Sequence, residues 1–264
     1  MKGGAGRRFA GSLAGLLAAF PGAGDEPKPA PKPEPPAIRL VQPFALEAGQ
    51  ATRVRIRGQH FGTNALEVRT TGLGDVPAGP PLSSAEARAI TGLDAARIGD
   101  RQVEVELTVA REAVPGTNAT LRVAGGGRES APFPLLVAAP GTLVGEKEPN
   151  DGFRTAPQAS LPVRIRGALE AKGDVDVFRF RGEAGRRIRA ELLAARLGST
   201  LDGLLTAYDP RLAVLGSVDD SAGRDPVLEV VVQETGDHFI AVSQVNDQPS
   251  PTHEYVLVLE EAKP

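Results

Sequence analysis

Val54 and Ile56 alternate with Arg53, Arg55 and Arg57, and Val103, Val105, Leu107 and Val109 alternate with Glu104, Glu106 and Thr108. A period of two puts one face of each run in a core and the other in water, which predicts half-buried strands. Shorter runs at Ile38–Val41, Leu66–Val68, Leu121–Val123 and Leu135–Val137 complete the first set, and turn residues separate them. The pattern lapses from Asp75 to Arg101, which reads as an inserted loop. Within it Ser84–Ile90 is expected to form one or two helical turns, capped by Ser83 or Ser84. Gly125–Gly127 predicts a hairpin tip.

The alternation resumes further on. Phe178 and Phe180 alternate with Arg179 and Arg181, and Ile188, Ala190 and Leu192 with Arg187, Arg189 and Glu191. Leu228, Val230 and Val232 share a face of a later strand. About eight short strands are expected here, which suits a jelly-roll sandwich. The fold class is therefore all-β: two tandem β-sandwiches, Ig-like over 38–140 and jelly-roll-like over 146–262, each long enough to carry its own core.

The N-terminus has a different texture. Lys2, Arg7 and Arg8 precede an apolar run from Phe9 to Phe20 that breaks at Pro21-Gly22. A spanning helix needs about 20 apolar residues. The shorter run reads as a signal peptide over 1–24, cleaved after Gly24 or Ala23, which leaves no membrane span in the mature chain. The other reading is a hydrophobic N-terminus of a cytoplasmic protein. Residues 25–37 form a Pro-rich charged spacer that favours extended polyproline II geometry.

Composition narrows the function more than the fold. The 264 residues contain no cysteine, so disulfides and thiol metal sites are excluded. A net charge of -3 gives no broad basic surface, and no nucleic-acid partner is expected. With no Trp and two Tyr, aromatic platforms for sugars or bases are scarce. The three histidines, His60, His238 and His253, show no motif that recruits a nucleophile or metal. His60 and His253 read as loop residues, and His238, in phase with Ile240 and Val242, as a half-buried neutral imidazole. Catalysis is disfavoured.

Two resemblances add to this reading. Gly49–Gly62 resembles the opening of bacterial Ig-like domains of the IPT/TIG type. Glu148-Pro149-Asn150-Asp151 and Gly173-Asp174-Val175-Asp176-Val177-Phe178-Arg179-Phe180 begin a second pattern. It continues through Ala195–Ser199, Leu201-Asp202, Leu205, Tyr208-Asp209 and Asp219-Asp220, and closes at Gly236 and Tyr255. In this order the blocks resemble the bacterial pre-peptidase C-terminal (PPC) domain, from about Glu146 to Glu260, a little under half the chain. The family recurs as an appendage of secreted bacterial proteases and in other exported proteins. His238 departs from it, since the family usually places an aromatic soon after the glycine that corresponds to Gly236.

The sharpest chemical feature is Glu146–Asp151, four oxygen-bearing side chains in six residues, with Asp174 and Asp176 flanking a strand start. Carboxylates without His or Cys suit a hard cation, calcium above all. Related collagen-binding modules of bacterial collagenases carry a similar acidic linker that binds calcium. That resemblance implies Glu146, Glu148, Asn150, Asp151, Asp174 and Asp176 as ligands, with the ion fixing the angle between the sandwiches. The alternative is an Asn150-Asp151 turn among solvated acids.

The expected function is an exported binding or adhesion module, located in the periplasm, on the cell surface or outside the cell. Its partner would be a protein or polysaccharide there. The runner-up is an accessory or scaffold protein for a separately encoded secreted hydrolase, and the third reading is a hydrolase itself.

Overall fold

The computed structural model describes Met1, Gly3, 34–63, 65–74, 79–221, 223–246 and 250–262. The expected signal peptide apart from Met1 and Gly3, and residues 25–33 of the Pro-rich spacer, lie outside the described residues. The first half of the chain supplies β1 (Ala37–Gln42), β2 (Ala45–Glu47), β3 (Ala51–Gln59), β4 (Glu67–Thr71) and β5 (Ala85–Glu86). After helix α1 (Ala95–Ile98) come β6 (Arg101–Thr108), β7 (Gly116–Gly125), β8 (Arg128–Glu129) and β9 (Phe133–Ala138). They form two sheets, ordered β1-β3-β6-β5 and β2-β9-β7-β4, with β8 as a hairpin on β7. Read in chain order, this is the strand arrangement of an Ig sandwich, its first strand divided between the sheets.

Register explains why the alternation works. β3 meets β6 with Val54 opposite Val105 and Ile56 opposite Val103, while Arg53 faces Glu106 and Arg55 faces Glu104. Apolar pairs thus fill the inner face and opposite charges pair on the outer one. Gly126 and Gly127, at φ of 58° and 75°, make the tight turn between β7 and β8.

The helical turns expected at Ser84–Ile90 do not form. Ala85–Glu86 is instead an edge strand on β6, and Ser84 bonds to the Gly62 carbonyl and to Arg101. The helix lies at Ala95–Ile98, where Asp94 caps the Ala96 amide and Gly99 ends the turn at φ 82°. The stop and start signals, rather than the alanine-rich spacing, decided its place.

The second half supplies β10 (Leu143–Gly145), β11 (Gln158–Ala159), β12 (Val163–Ala168), β13 (Val175–Gly182) and β14 (Arg187–Leu193). Then follow β15 (Gly203–Tyr208), β16 (Val214–Val218), β17 (Val227–Val231), β18 (Gly236–Gln244) and β19 (Glu254–Glu261). They make two five-stranded sheets, β10-β12-β19-β14-β17 and β11-β13-β18-β15-β16. The extra strands beyond about eight include β10 and β11, three and two residues long, which pair parallel to β12 and β13. Their brevity hides them from a periodicity reading. Leu143–Gly145 also carries this sandwich upstream of Glu146.

β19 is buried on both faces. Tyr255, Leu257 and Leu259 point into the core of their own sandwich, and Val256 and Val258 join Leu193 and Leu197 against Phe44, Ala45 and Leu136 of the first. Gly198 supports the same contact, because a Cβ there would run into the Phe133 ring. Glu34–Pro264 therefore forms one compact unit. Among the described residues, no helix is long and apolar enough to cross a membrane.

Candidate metal centre

β10 delivers Glu146 to the side of β12, where the Glu146 amide donates to the Arg166 carbonyl and its Oε1 accepts from the Ala168 amide at 2.8 Å. The Tyr255 hydroxyl, on β19, reaches Glu146 Oε2 at 3.2 Å and Asp176 Oδ2 at 2.5 Å. Gly167 makes the approach possible, since a Cβ at that position would strike both Glu146 Oε2 and the Tyr255 hydroxyl. Glu148 is exposed, and its Oε2 accepts from the Asn150 amide at 2.9 Å. Carboxylate oxygens of Glu146, Glu148 and Asp176 lie within 4.8 Å of one another.

Asn150 adjoins this group. Its carbonyl accepts from the Val177 amide at 3.0 Å, next to Asp176 on β13. The Asn150 side chain is fully buried, yet among the described residues neither Oδ1 nor Nδ2 finds a partner, and Asp176 Oδ1 is in the same state. Buried polar groups are almost always paired, so these atoms mark a place suited to a further ligand. Asp174 is occupied elsewhere: its Oδ2 accepts from the Glu170 and Ala171 amides and closes the turn into β13. Asp151 is exposed and stands outside the group of three. Of the six candidate residues, three carboxylates converge and Asn150 adjoins them.

Burial dominates the electrostatics. It pushes the Asp176 carboxyl up to about 9, and the negative charges of Glu146 and Asp174 add to the shift while the Tyr255 hydrogen bond opposes it. Burial likewise raises Glu146, and it raises the Tyr255 phenol, helped there by both acids. Without a cation, Asp176 therefore carries a proton at neutral pH. A divalent cation would displace that proton and meet an all-oxygen donor set, as calcium requires. Glu146, Glu148 and Asp176 are the residues that would hold it, with the Asn150 amide oxygen at hand.

The partners of these acids, Ala168, Tyr255 and Asn150, all belong to the second sandwich. The sandwiches themselves are joined by the apolar cluster around Phe44 and Val256. An ion here would tie the run from Leu143 to Asn150 down to β13 and β19, and the angle between sandwiches rests on hydrophobic contact.

Glu146 also lies on the wall of a cleft of about 1260 Å³ between the sandwiches. Arg53, Arg55 and Arg57 project from β3 on one side, and Arg166 and Glu254 stand on the other. Arg57 is buried; it donates to the Gly99 carbonyl at 3.0 Å, and its Nε has no partner among the described residues. Burial pushes Glu254 up to about 8 against the opposing charge of Arg166. Arg88, Ala89 and Ile90 of the inserted loop line the same cleft.

Some residues escaped the sequence reading. Asp225, the last acid of the run Asp219–Asp225, is buried and accepts from the amides of Ala194, Ala195 and Arg196 and from Arg196 Nε at 2.6 Å. It thereby holds the 3-10 turn Ala195–Leu197 that faces the first sandwich. His238 is fully buried, not half-buried, between the Gly236 carbonyl and the Phe180 ring. His253 is in a loop as expected, but it too is buried.

No protein-family model matches the chain. It is 33% identical over 130 residues to a probable subtilase-type serine protease of Deinococcus radiodurans, across 43% of this chain and 18% of that protein. The chain thus spans under a fifth of that relative's length. Among solved structures it is similar to the pre-peptidase C-terminal domain of a Bacillus anthracis collagenase (TM-score 0.34, 14% identity, 40% of this chain and 94% of that one). It is also similar to PliG of Aeromonas hydrophila, a periplasmic inhibitor of g-type lysozyme (TM-score 0.29, 15% identity, 46% and 96%).

Proposed function

We propose that the chain is an exported, non-catalytic binding module in which calcium, held by Glu146, Glu148 and Asp176, fastens the start of the second sandwich and shapes one wall of the cleft. The observation that carries this is the convergence of three carboxylates beside the buried, unpartnered Asn150 amide. The cleft takes the partner, a periplasmic or extracellular protein or polysaccharide. Its lining of arginines, glutamates and small apolar residues supports binding through charge and hydrogen bonds rather than by aromatic stacking. A nucleophile paired with a base is not part of that lining.

Calcium titration with thermal unfolding tests the metal. At a hundredfold excess over its Kd, calcium is expected to add about 2.7 kcal/mol of stability. Glu148→Ala should remove most of that gain, and Asp151→Ala should leave it, because Asp151 lies outside the converging group. Equal melting in chelator and in millimolar calcium rejects the site.

A second reading, an accessory role beside a separately encoded secreted hydrolase, is supported by the likeness to part of a probable serine protease. Affinity capture from an extracellular fraction separates the two. A single partner lost on Arg166→Glu favours the binding module, whereas a co-purifying hydrolase indifferent to that change favours the accessory role.

A further inference from the structure

A second pocket between the sandwiches, about 310 Å³ in volume, lies at the turn that leads into β19. None of Glu146, Glu148, Asn150 or Asp176 lines it, so it is separate from the acidic group. The first sandwich contributes Arg97, and the second contributes Thr200, Asp202, Arg224, Ser250 and His253. Arg97 is exposed, its amide bonds to the Asp94 carbonyl, and its side chain makes no hydrogen bond or ion pair among the described residues. Arg224 is oriented by Asp202 Oδ1 at 3.2 Å and by the Leu201 carbonyl at 3.3 Å. Two guanidinium groups and one carboxylate, which pairs with Arg224, thus line the same pocket.

Thr200, Ser250 and His253 form a polar, neutral and buried part of the wall. His253 is 3% exposed, and its Nδ1 has no hydrogen-bond partner among the described residues. Burial, helped by the positive charges of Arg97 and Arg224, lowers His253 to about 4, so the ring is neutral at physiological pH. The hydroxyls of Ser250, Thr252 and Thr200 form a chain with contacts of 2.7 and 2.5 Å. A buried imidazole nitrogen left unpaired is costly, and in the tautomer with the proton on Nδ1 the partner it lacks is an acceptor. A group with several acceptor oxygens and a negative charge answers all three features.

We propose that this pocket binds a small oxyanion, held between Arg97 of the first sandwich and Arg224 of the second and accepting a hydrogen bond from His253 Nδ1. Phosphate, sulfate and a carboxylate group share that chemistry. Because the two guanidinium groups come from different sandwiches, the ligand bridges them. Its binding therefore adds to the cohesion of the pair without involving the acidic group.

The test uses the whole chain in calcium-free buffer at constant ionic strength, with chloride replaced stepwise by sodium phosphate, sulfate or acetate. A saturable rise in Tm, with a matching shift of the His253 ring resonances, is expected for at least one of these anions. A response to phosphate and sulfate alone assigns a tetrahedral oxyanion, and a response that includes acetate extends the site to carboxylates. Arg97→Met should weaken binding about tenfold, each Tm rise being read against the same variant in chloride. Arg224→Met is expected to weaken it as well. No saturable response beyond chloride, or an undiminished response in Arg97→Met, overturns the proposal.

Discussion

Asp176 and Tyr255 show how a single hydroxyl organises two acids. The Tyr255 phenol donates toward Asp176 Oδ2 and Glu146 Oε2 from the centre of a buried strand. Tyr255→Phe keeps the ring packing and removes the donor, and it should cost about 1–3 kcal/mol in urea unfolding at neutral pH without calcium. The pH dependence follows from the raised acids. A carboxyl whose folded pKa exceeds its unfolded one stabilises the fold fully below the unfolded value and loses that contribution as pH rises through the folded one. For Asp176 that window runs from the ordinary Asp value of 3.8 to about 9, and for Glu254 from 4.5 to about 8. The metal-free protein should therefore lose Tm as pH rises from about 6.5 to 9, while between about 4 and 6.5 the buried His253, whose folded value lies below its ordinary one, opposes the decline. Calcium should remove the Asp176 part of the decline, and Glu254→Gln the other part, so Tm measured against pH in all four combinations separates them. Glu146, Glu148 and Asp176 were legible as candidates because acids beside Pro and before a strand are unusual in density. That Asp174 folds back on the amides of Glu170 and Ala171 was not, since sequence gives an acid's chemistry and not its direction.

Strands were legible where they are long. Val54–Ile56 and Phe178–Phe180 announce themselves by alternation, whereas β5, β10 and β11 have too few residues to show a period. α1 was missed because an Asp cap and a Gly stop outweigh a longer alanine-rich stretch. The 3-10 turn Ala195–Leu197 depends on an acid thirty residues away by sequence, Asp225, whose partner amides no local pattern reveals. Asp225→Ala leaves those amides and Arg196 without their acceptor in a buried place. A loss on the order of 3 kcal/mol is expected, read from denaturant midpoints, and Asp219→Ala serves as the silent control.

The two sandwiches were legible separately, and their union was not. Period-two patterns say which face of a strand is apolar, but the runs Leu135–Ala138 and Tyr255–Leu259, apolar on both faces, are signs that a sheet has neighbours on either side. The patch around Phe44, Leu136, Val256 and Val258 makes the pair unfold as a unit, so calorimetry should give a single transition. Phe44→Asp places a charge in that patch and is expected to split the trace in two, with calcium then raising only the component that belongs to the second sandwich.

β19 sits between β12 and β14, although it follows both in the chain by some sixty residues or more. Until it arrives, those two strands have open edges toward each other, and the junction lacks Val256 and Val258. In a chain that emerges N-terminus first, assembly of the second sandwich and of the junction is thus deferred until residue 261 is free to insert. The order of the strands ties the closing of one sheet of the second sandwich, and part of its hold on the first, to a single strand near residue 261.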